Sequence, residues 1–345
     1  MTATGLLGVE LPIIQSPMAG VQDSELAVAV SNAGALGSLP CAMLSAEDIV
    51  SELSKIRSAT SNPVNLNFFC HRQPEWSDAR ELRWREILHD YYVELGIDIG
   101  DIPAGPFRRP FSHDIADAIE GLRPEIVSFH FGLPDPGLLG RVKNWGSTVL
   151  ASATTVEEAV WLEAQGCSAI IAQGIEAGGH RGMFLTDDLS SQDNTRRLLQ
   201  NIIAAVGVPV IAAGGIADAI GVAEVLGMGA IAAQVGTAYL LCPEAKTSPI
   251  HRASLRGPEA QHTTVTNVFS GRPARGIINR LIRECGPLCS EVPDFPLAAS
   301  AISQLRSKAE SNGSGDFTPL WGGMNAALCK EIPAAELTLE LSSGI

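Results

Sequence analysis

The chain has 345 residues, 46% of them hydrophobic and 18% charged, which is ample material for a buried core and excludes a disordered chain. Lys and Arg number 24 against 38 Asp and Glu, a formal net charge of −14. Such a surface repels phosphate backbones and anionic lipid, so no nucleic-acid or membrane partner is expected, whereas a small anionic substrate remains open to a local pocket of opposite sign.

Eight short apolar runs of β type follow one another: 12–18 (PIIQSPM), 35–39 (ALGSL), 64–69 (VNLNFF), 126–131 (IVSFHF), 148–152 (TVLAS), 169–173 (AIIAQ), 209–213 (PVIAA) and 230–236 (AIAAQVG). Runs without polar alternation are what parallel strands covered on both faces look like. Helical patterns lie between them. The pattern at 24–32 has Ser24 as its cap candidate; that at 45–56 opens with Ser45 and has Asp48 three residues on. The pattern at 155–165 opens with Thr155, and another covers 218–226. Eight β/α units in series argue for an α/β fold of the (β/α)8 TIM-barrel type. An open dinucleotide-binding sheet would want G-x-G-x-x-G after its first strand, and this chain has SPMAG there.

Two stretches exceed a plain repeat. Residues 73–123 hold a charged helix at 76–94 and then a Pro-rich segment, and are expected to form an insertion after strand 3. Residues 245–345 are expected to form a helical C-terminal extension that helps cover the barrel mouth. The barrel itself is assigned to 1–72 and 124–244. The aromatic text of the two additions (Phe107, Phe111, Phe295, Phe317, Trp321) suits a lid. The seven cysteines lack the spacing of a zinc module, and no carboxylate or histidine cluster suggests a metal. The cysteines read as reduced thiols, and the N-terminal text has no basic region followed by an apolar core, so a cytoplasmic protein is expected. The most apolar long segment, 219–242, is interrupted by Glu224 and Gln234 and reads as a buried helix and strand.

In such a barrel, functional groups stand at the C-terminal ends of strands. Those ends carry Pro17, Met18 and Ala19; Asn67; His130; Gln173 followed by Gly178 and His180; Gly214 and Gly215; and Gln234, Val235, Gly236 and Thr237. Paired glycine turns after strands seven and eight make a phosphate site, because glycine lets backbone N–H groups approach the anion. The alternative is that they serve only tight turns. Amides such as Asn67 and Gln173 would find paired donor and acceptor edges on a flavin ring, or pair across strands. His180, in a glycine-rich loop, is a general-base or anion-binding candidate. His130, between two phenylalanines, suits a structural role, and His71, His89, His113, His251 and His262 are expected to be structural, the last two in surface-like text.

The strings PIIQSPMAG, NFFCH at 67–71, SFHFG at 128–132, AQGIEAGGHRG at 172–182, PVIAAGGI at 209–216, QVGTA at 234–238 and SGRPARG at 270–276 together resemble class I nitronate monooxygenases, formerly called 2-nitropropane dioxygenases, over about residues 11–280. The resemblance implies non-covalent FMN held by Pro17, Met18, Ala19, Asn67, Gln173, Gly178, Gly214, Gly215, Gln234, Val235, Gly236 and Thr237. It implies His180 as the active-site histidine, with His130 and Phe295 lining the substrate. It implies oxidation of alkyl nitronates, such as propionate 3-nitronate, by O2 to a carbonyl product and nitrite, in a monomer or homodimer. The chain departs from the family pattern Y-P-x-x-Y-x-x-x-K, with Phe295 and Ala299 in place of the tyrosines and Ser303 in place of the lysine; its LWGGM at 320–324 lacks the glutamine of L-W-x-G-Q. An FMN-dependent NAD(P)H reductase of a quinone or enoyl thioester, and a flavin-binding protein without turnover, are the alternative readings.

Overall fold

The computed structural model describes residues 2–98 and 108–345. Eight parallel strands form a (β/α)8 TIM barrel: β1 (Ile13–Gln15), β2 (Gly37–Pro40), β3 (Val64–Phe69), β4 (Ile126–His130), β5 (Thr148–Ala153), β6 (Ala169–Gln173), β8 (Val210–Ala213) and β9 (Ala232–Val235). Their order is β1-β9-β8-β6-β5-β4-β3-β2, and a parallel bridge between Ile14 and Leu36 closes β1 onto β2. Each apolar run in the sequence yields one strand. Both faces of these strands are buried, which removes the need for polar alternation.

Two layers of packing explain the burial. Inside the barrel floor, Ile14, Leu36, Leu150, Ile171 and Ile211 meet Ala3, Leu7 and Val9 of the N-terminal segment, so helix α1 (Ala3–Leu7) stoppers the bottom. Outside, apolar strand residues pack against helices α2 (Ser24–Asn32), α3 (Ala46–Ala59), α8 (Val156–Ala164), α9 (Thr195–Ala205) and α10 (Ala219–Gly227). Ser45 and Asp48 close a reciprocal capping box on α3, and Thr155 and Asp218 cap α8 and α10. For α2 the expected cap moves by one residue. Asp23, extended at φ −138°, accepts from Glu25 N, and Ser24 is the first helical residue.

The insertion and the extension pack on each other. The charged helix expected at 76–94 breaks at Leu88 into α4 (Asp78–Ile87) and α5 (His89–Leu95). Trp84, Leu88 and Tyr92 from these helices share a core with Leu281, Ile302, Leu305 and Phe317 of the extension. Tyr92 Oη donates to the Ala301 carbonyl oxygen at 2.9 Å, on helix α13 (Ala299–Ser311). The extension is not purely helical: β10 (Thr263–Thr266) and β11 (Ala274–Ile277) form an antiparallel sheet with the two-residue strand β7 (Gly179–His180). That small sheet stands at the C-terminal mouth of the barrel and carries His180. No helix among the described residues is long and apolar enough to cross a membrane.

Candidate active site

The loop after β6 is tied down by its own sequence. Gln173 Nε2 donates to the His180 carbonyl oxygen (3.0 Å), and Gly182 N donates to Gln173 Oε1 (2.8 Å), so both ends of that amide serve the loop. The Arg181 guanidinium, fully buried, donates to the carbonyls of Gly174 (2.6 Å) and Gln173 (2.7 Å) and to Gln192 Oε1. His130 sits beside it with one ring nitrogen 3.1 Å from Ser152 Oγ and the other 3.2 Å from the His180 carbonyl oxygen. His130 therefore lines the cavity but uses both nitrogens within the protein. A Cβ on Gly182 would lie 2.8 Å from His130 Cε1, which explains a glycine at this place.

The His180 ring is framed by aromatic side chains, with Phe295 at 5.2 Å and Trp321 at 5.4 Å between centroids. Its Nε2 lies 2.8 Å from Ser270 Oγ. Ser270 has one hydroxyl proton, and the Arg272 carbonyl oxygen at 3.4 Å is an acceptor for it. With the hydroxyl proton on that carbonyl, we assign Ser270 as the acceptor from His180 Nε2–H, which leaves Nδ1 as the basic nitrogen. Burial pushes the His180 pKa well below its ordinary value, with Arg108, His130, Arg272 and His71 adding to the effect. Burial likewise takes His130 to about 3 and His251 to about 4. These imidazoles are neutral at physiological pH.

Across the mouth, β8 and β9 end in glycine turns. Among the described residues no hydrogen bond occupies the backbone N–H groups of Gly215, Gly236 and Thr237. Gly215 has φ +67°, in the left-handed region that favours glycine. The tail closes over this cradle: Gly323 N donates to Thr237 Oγ1 (3.0 Å), and Asn325 Nδ2 donates to the Gly215 carbonyl oxygen (2.6 Å). A Cβ on Gly178 would come within 2.6 Å of Gly323 N and 2.7 Å of the Gly322 carbonyl carbon, so only glycine lets the β6 loop and the tail meet here. Gln234 lines the same cavity, and its Oε1 is buried with no partner among the described residues. Asn67 Nδ2 donates to Ser128 Oγ (2.9 Å).

One cavity joins these parts. Its wall includes Pro17, Met18, Ala19, Asn67, His130, Gln173, Gly178, His180, Gly214, Gly215, Gln234, Gly236 and Thr237. Two expected site residues stand outside the wall. The Val235 side chain is fully buried in the core, because it alternates with Gln234 along β9. Phe295 is buried behind His180, 4.8 Å from the His71 ring. Of the lid aromatics, Trp321 lines the cavity, Phe111 packs on Phe68 of the barrel (4.7 Å), Phe317 packs on Tyr91 (5.1 Å), and Phe107 lies outside the described residues. The cavity also recruits residues that the sequence reading left aside: Arg108, Ser152, His251 and Asn325. His251, expected in surface-like text, is buried, and its Nε2 has no partner among the described residues. No Asp or Glu lines the cavity among the described residues, although the chain is strongly acidic overall.

The profile of the nitronate monooxygenase family matches residues 1–344. A nitronate monooxygenase from Pseudomonas aeruginosa is 40% identical over 97% of this chain and 96% of its own length. One from Paraburkholderia phytofirmans is also 40% identical, over 97% and 92%. Among solved structures, a nitroalkane oxidase from Streptomyces ansochromogenes superposes with a TM-score of 0.89 at 36% identity, over 99% of this chain and 96% of that one. FabK from Thermotoga maritima, at 24% identity and a TM-score of 0.73, shares the fold. The chain is therefore an oxidoreductase belonging to the nitronate monooxygenase family.

Proposed function

We propose that the chain binds FMN and oxidises alkyl nitronates, propionate 3-nitronate among them, with O2 to a carbonyl product and nitrite. The observation that carries this reading is the pairing, across one cavity with no carboxylate among its described lining residues, of a cradle of backbone N–H groups with a buried, neutral histidine. The residues fit a flavin mononucleotide. Gly215, Gly236 and Thr237 offer three backbone donors to a single phosphate. Gln234 Oε1 offers an orphaned acceptor of the kind a ring N–H would satisfy. Pro17, Met18, Ala19 and Asn67 line the space between. FMN, when bound, supplies the redox chemistry that links nitronate to O2.

The protein's own part is binding, orientation and proton handling. A nitronate is an anion, and a wall with no carboxylate among the described residues admits it without like-charge repulsion from them. The aromatic frame of Phe295 and Trp321 limits the orientations of the His180 ring. With a neutral nitroalkane, Nδ1 of His180 removes the α-proton; with a preformed nitronate no base is required. Gln173 and His130 act through the loop, by holding the carbonyl behind His180. The reading is tested by following oxygen uptake and nitrite release on adding ethyl nitronate or propionate 3-nitronate to the purified protein. Uptake with NADH and none with either nitronate would move the site to reductase chemistry.

A further inference from the structure

The C-terminal tail crosses the glycine-turn end of the cavity as a bridge with two fixed feet. Leu320 and Ala326 are buried in one apolar cluster with Leu240, Leu241 and Leu255. Between these feet, Trp321, Gly323 and Asn325 line the same cavity as Gly215, Gly236 and Thr237. Met324 and Asn325 are exposed, so this crossing is one layer of chain between cavity and solvent. The barrel floor on the opposite side is stoppered by α1.

Among the described residues, three hydrogen bonds hold 323–325 down. Gly323 N donates to Thr237 Oγ1 (3.0 Å), Met324 N to the Glu176 carbonyl oxygen (3.0 Å) and Asn325 Nδ2 to the Gly215 carbonyl oxygen (2.6 Å). Two of the three therefore end on Gly215 and Thr237, whose backbone N–H groups belong to the cradle. A phosphate held there would be enclosed between the strand ends and the crossing. Neutral bonds of this kind at the rim are each worth little net, so opening the crossing costs far less than unfolding the barrel. Only the Asn325 bond is donated by a side chain, and that side chain is exposed.

We infer that residues 321–325 are a strap over the phosphate end of the cavity, latched by Asn325 on Gly215, and that this strap opens to let FMN enter or leave. The inference rests on the FMN reading above and adds to it the control of cofactor exchange. It has a kinetic signature. When a ligand passes only while a strap is open, the entry and exit rates both scale with the open fraction. The affinity compares a strapped empty site with a strapped loaded one, so it changes much less.

The test is stopped-flow fluorescence of FMN uptake by the apoprotein, with release from the loaded protein followed on capture by excess apoflavodoxin. Asn325→Ala should raise both rates by about fivefold, the size of one lost neutral hydrogen bond, and leave the FMN dissociation constant within about twofold. Hydrogen exchange of the apoprotein reads the strap without flavin: the Gly323 and Met324 amides should exchange about fivefold faster in Asn325→Ala. Faster release with unchanged uptake would make Asn325 a simple cofactor contact and overturn the strap, as would unchanged exchange at both amides. A wild type that takes up FMN at rates Asn325→Ala leaves alone would refute the strap and leave the flavin reading standing. A wild type that takes up no FMN would refute both.

Discussion

Replacing His180 with Asn separates the two tasks of that residue. The backbone of His180 is held by Gln173 Nε2, by His130 and by pairing with Ala274 on β11, none of which uses the imidazole. Asn keeps those contacts and loses the Ser270 contact and the basic Nδ1. The cradle at Gly215, Gly236 and Thr237 is on other strands, so FMN content should be unchanged. Loss of a positioned base lowers turnover of neutral nitroethane by about 10²–10⁴-fold. Turnover of ethyl nitronate, which has no proton to give up, should fall by less than about tenfold. Oxygen-electrode rates on both forms between pH 5.5 and 8 measure this directly. Because the His180 pKa is held well below 6.5, the wild-type rate on nitroethane, corrected for its own ionisation, should show no limb near pH 6.5. Equal losses on both substrate forms, or an acid limb at 6.5, would refute the assignment of His180 as the base.

Three further outcomes follow from the same geometry. Gly178→Ala drives a Cβ into the backbone at Gly322 and Gly323, and should cost about 1–3 kcal/mol of stability and lower the FMN content on purification, read by thermal melting and by the visible spectrum. Ser270→Ala removes the acceptor that orients His180 Nε2–H, and should lower nitroethane turnover by about tenfold at unchanged flavin content. His71 is caged by Phe69, Phe131 and Phe295, and among the described residues neither ring nitrogen meets a partner in hydrogen-bond geometry. Burial, with Arg272 and Arg108, lowers its pKa from 6.5 to about 4, the nearby Arg108 backbone pulling slightly the other way. The folded state thus takes up this proton later than the unfolded chain, so stability is lost as pH falls from 6.5 towards 4. For His71 that loss is about 3 kcal/mol. Denaturant melts should show His71→Phe losing less stability than wild type over that window by about this amount.

The barrel was legible because its strands are covered on both faces, which leaves eight unbroken apolar runs separated by cap residues. Boundaries shifted where neighbours compete, as when Asp23 rather than Ser24 capped α2. Within the site, the glycine turns and His180 could be read from position alone, since strand ends fix where they point. The inward direction of the Val235 side chain could have been read the same way: if Gln234 faces the mouth, the next side chain faces the core. Arg108 and His251 were not legible. Arg108 stands in Pro-rich text with no local period, and the chain just after it is placed by contacts with the barrel, such as Phe111 on Phe68. His251 is the third residue of α11 (Pro249–Arg256), and its inward face is decided by the tail segment that packs over it. The β10–β11–β7 sheet escaped for a related reason: β7 is only two residues long, and its pairing joins positions about 95 residues apart, a separation no local pattern reports.

The central claim is that this cavity holds FMN and passes electrons to it from a nitronate. The most direct measurement is the visible spectrum of the purified, FMN-reconstituted protein, recorded without oxygen while propionate 3-nitronate or NADH is added. The account predicts a yellow protein that releases FMN, not FAD, on denaturation, whose absorbance bleaches with the nitronate and not with NADH. It also predicts recovery of the colour, with nitrite in solution, when air is admitted. A protein that cannot be loaded with FMN, or a loaded one that NADH bleaches and the nitronate leaves unchanged, would contradict it.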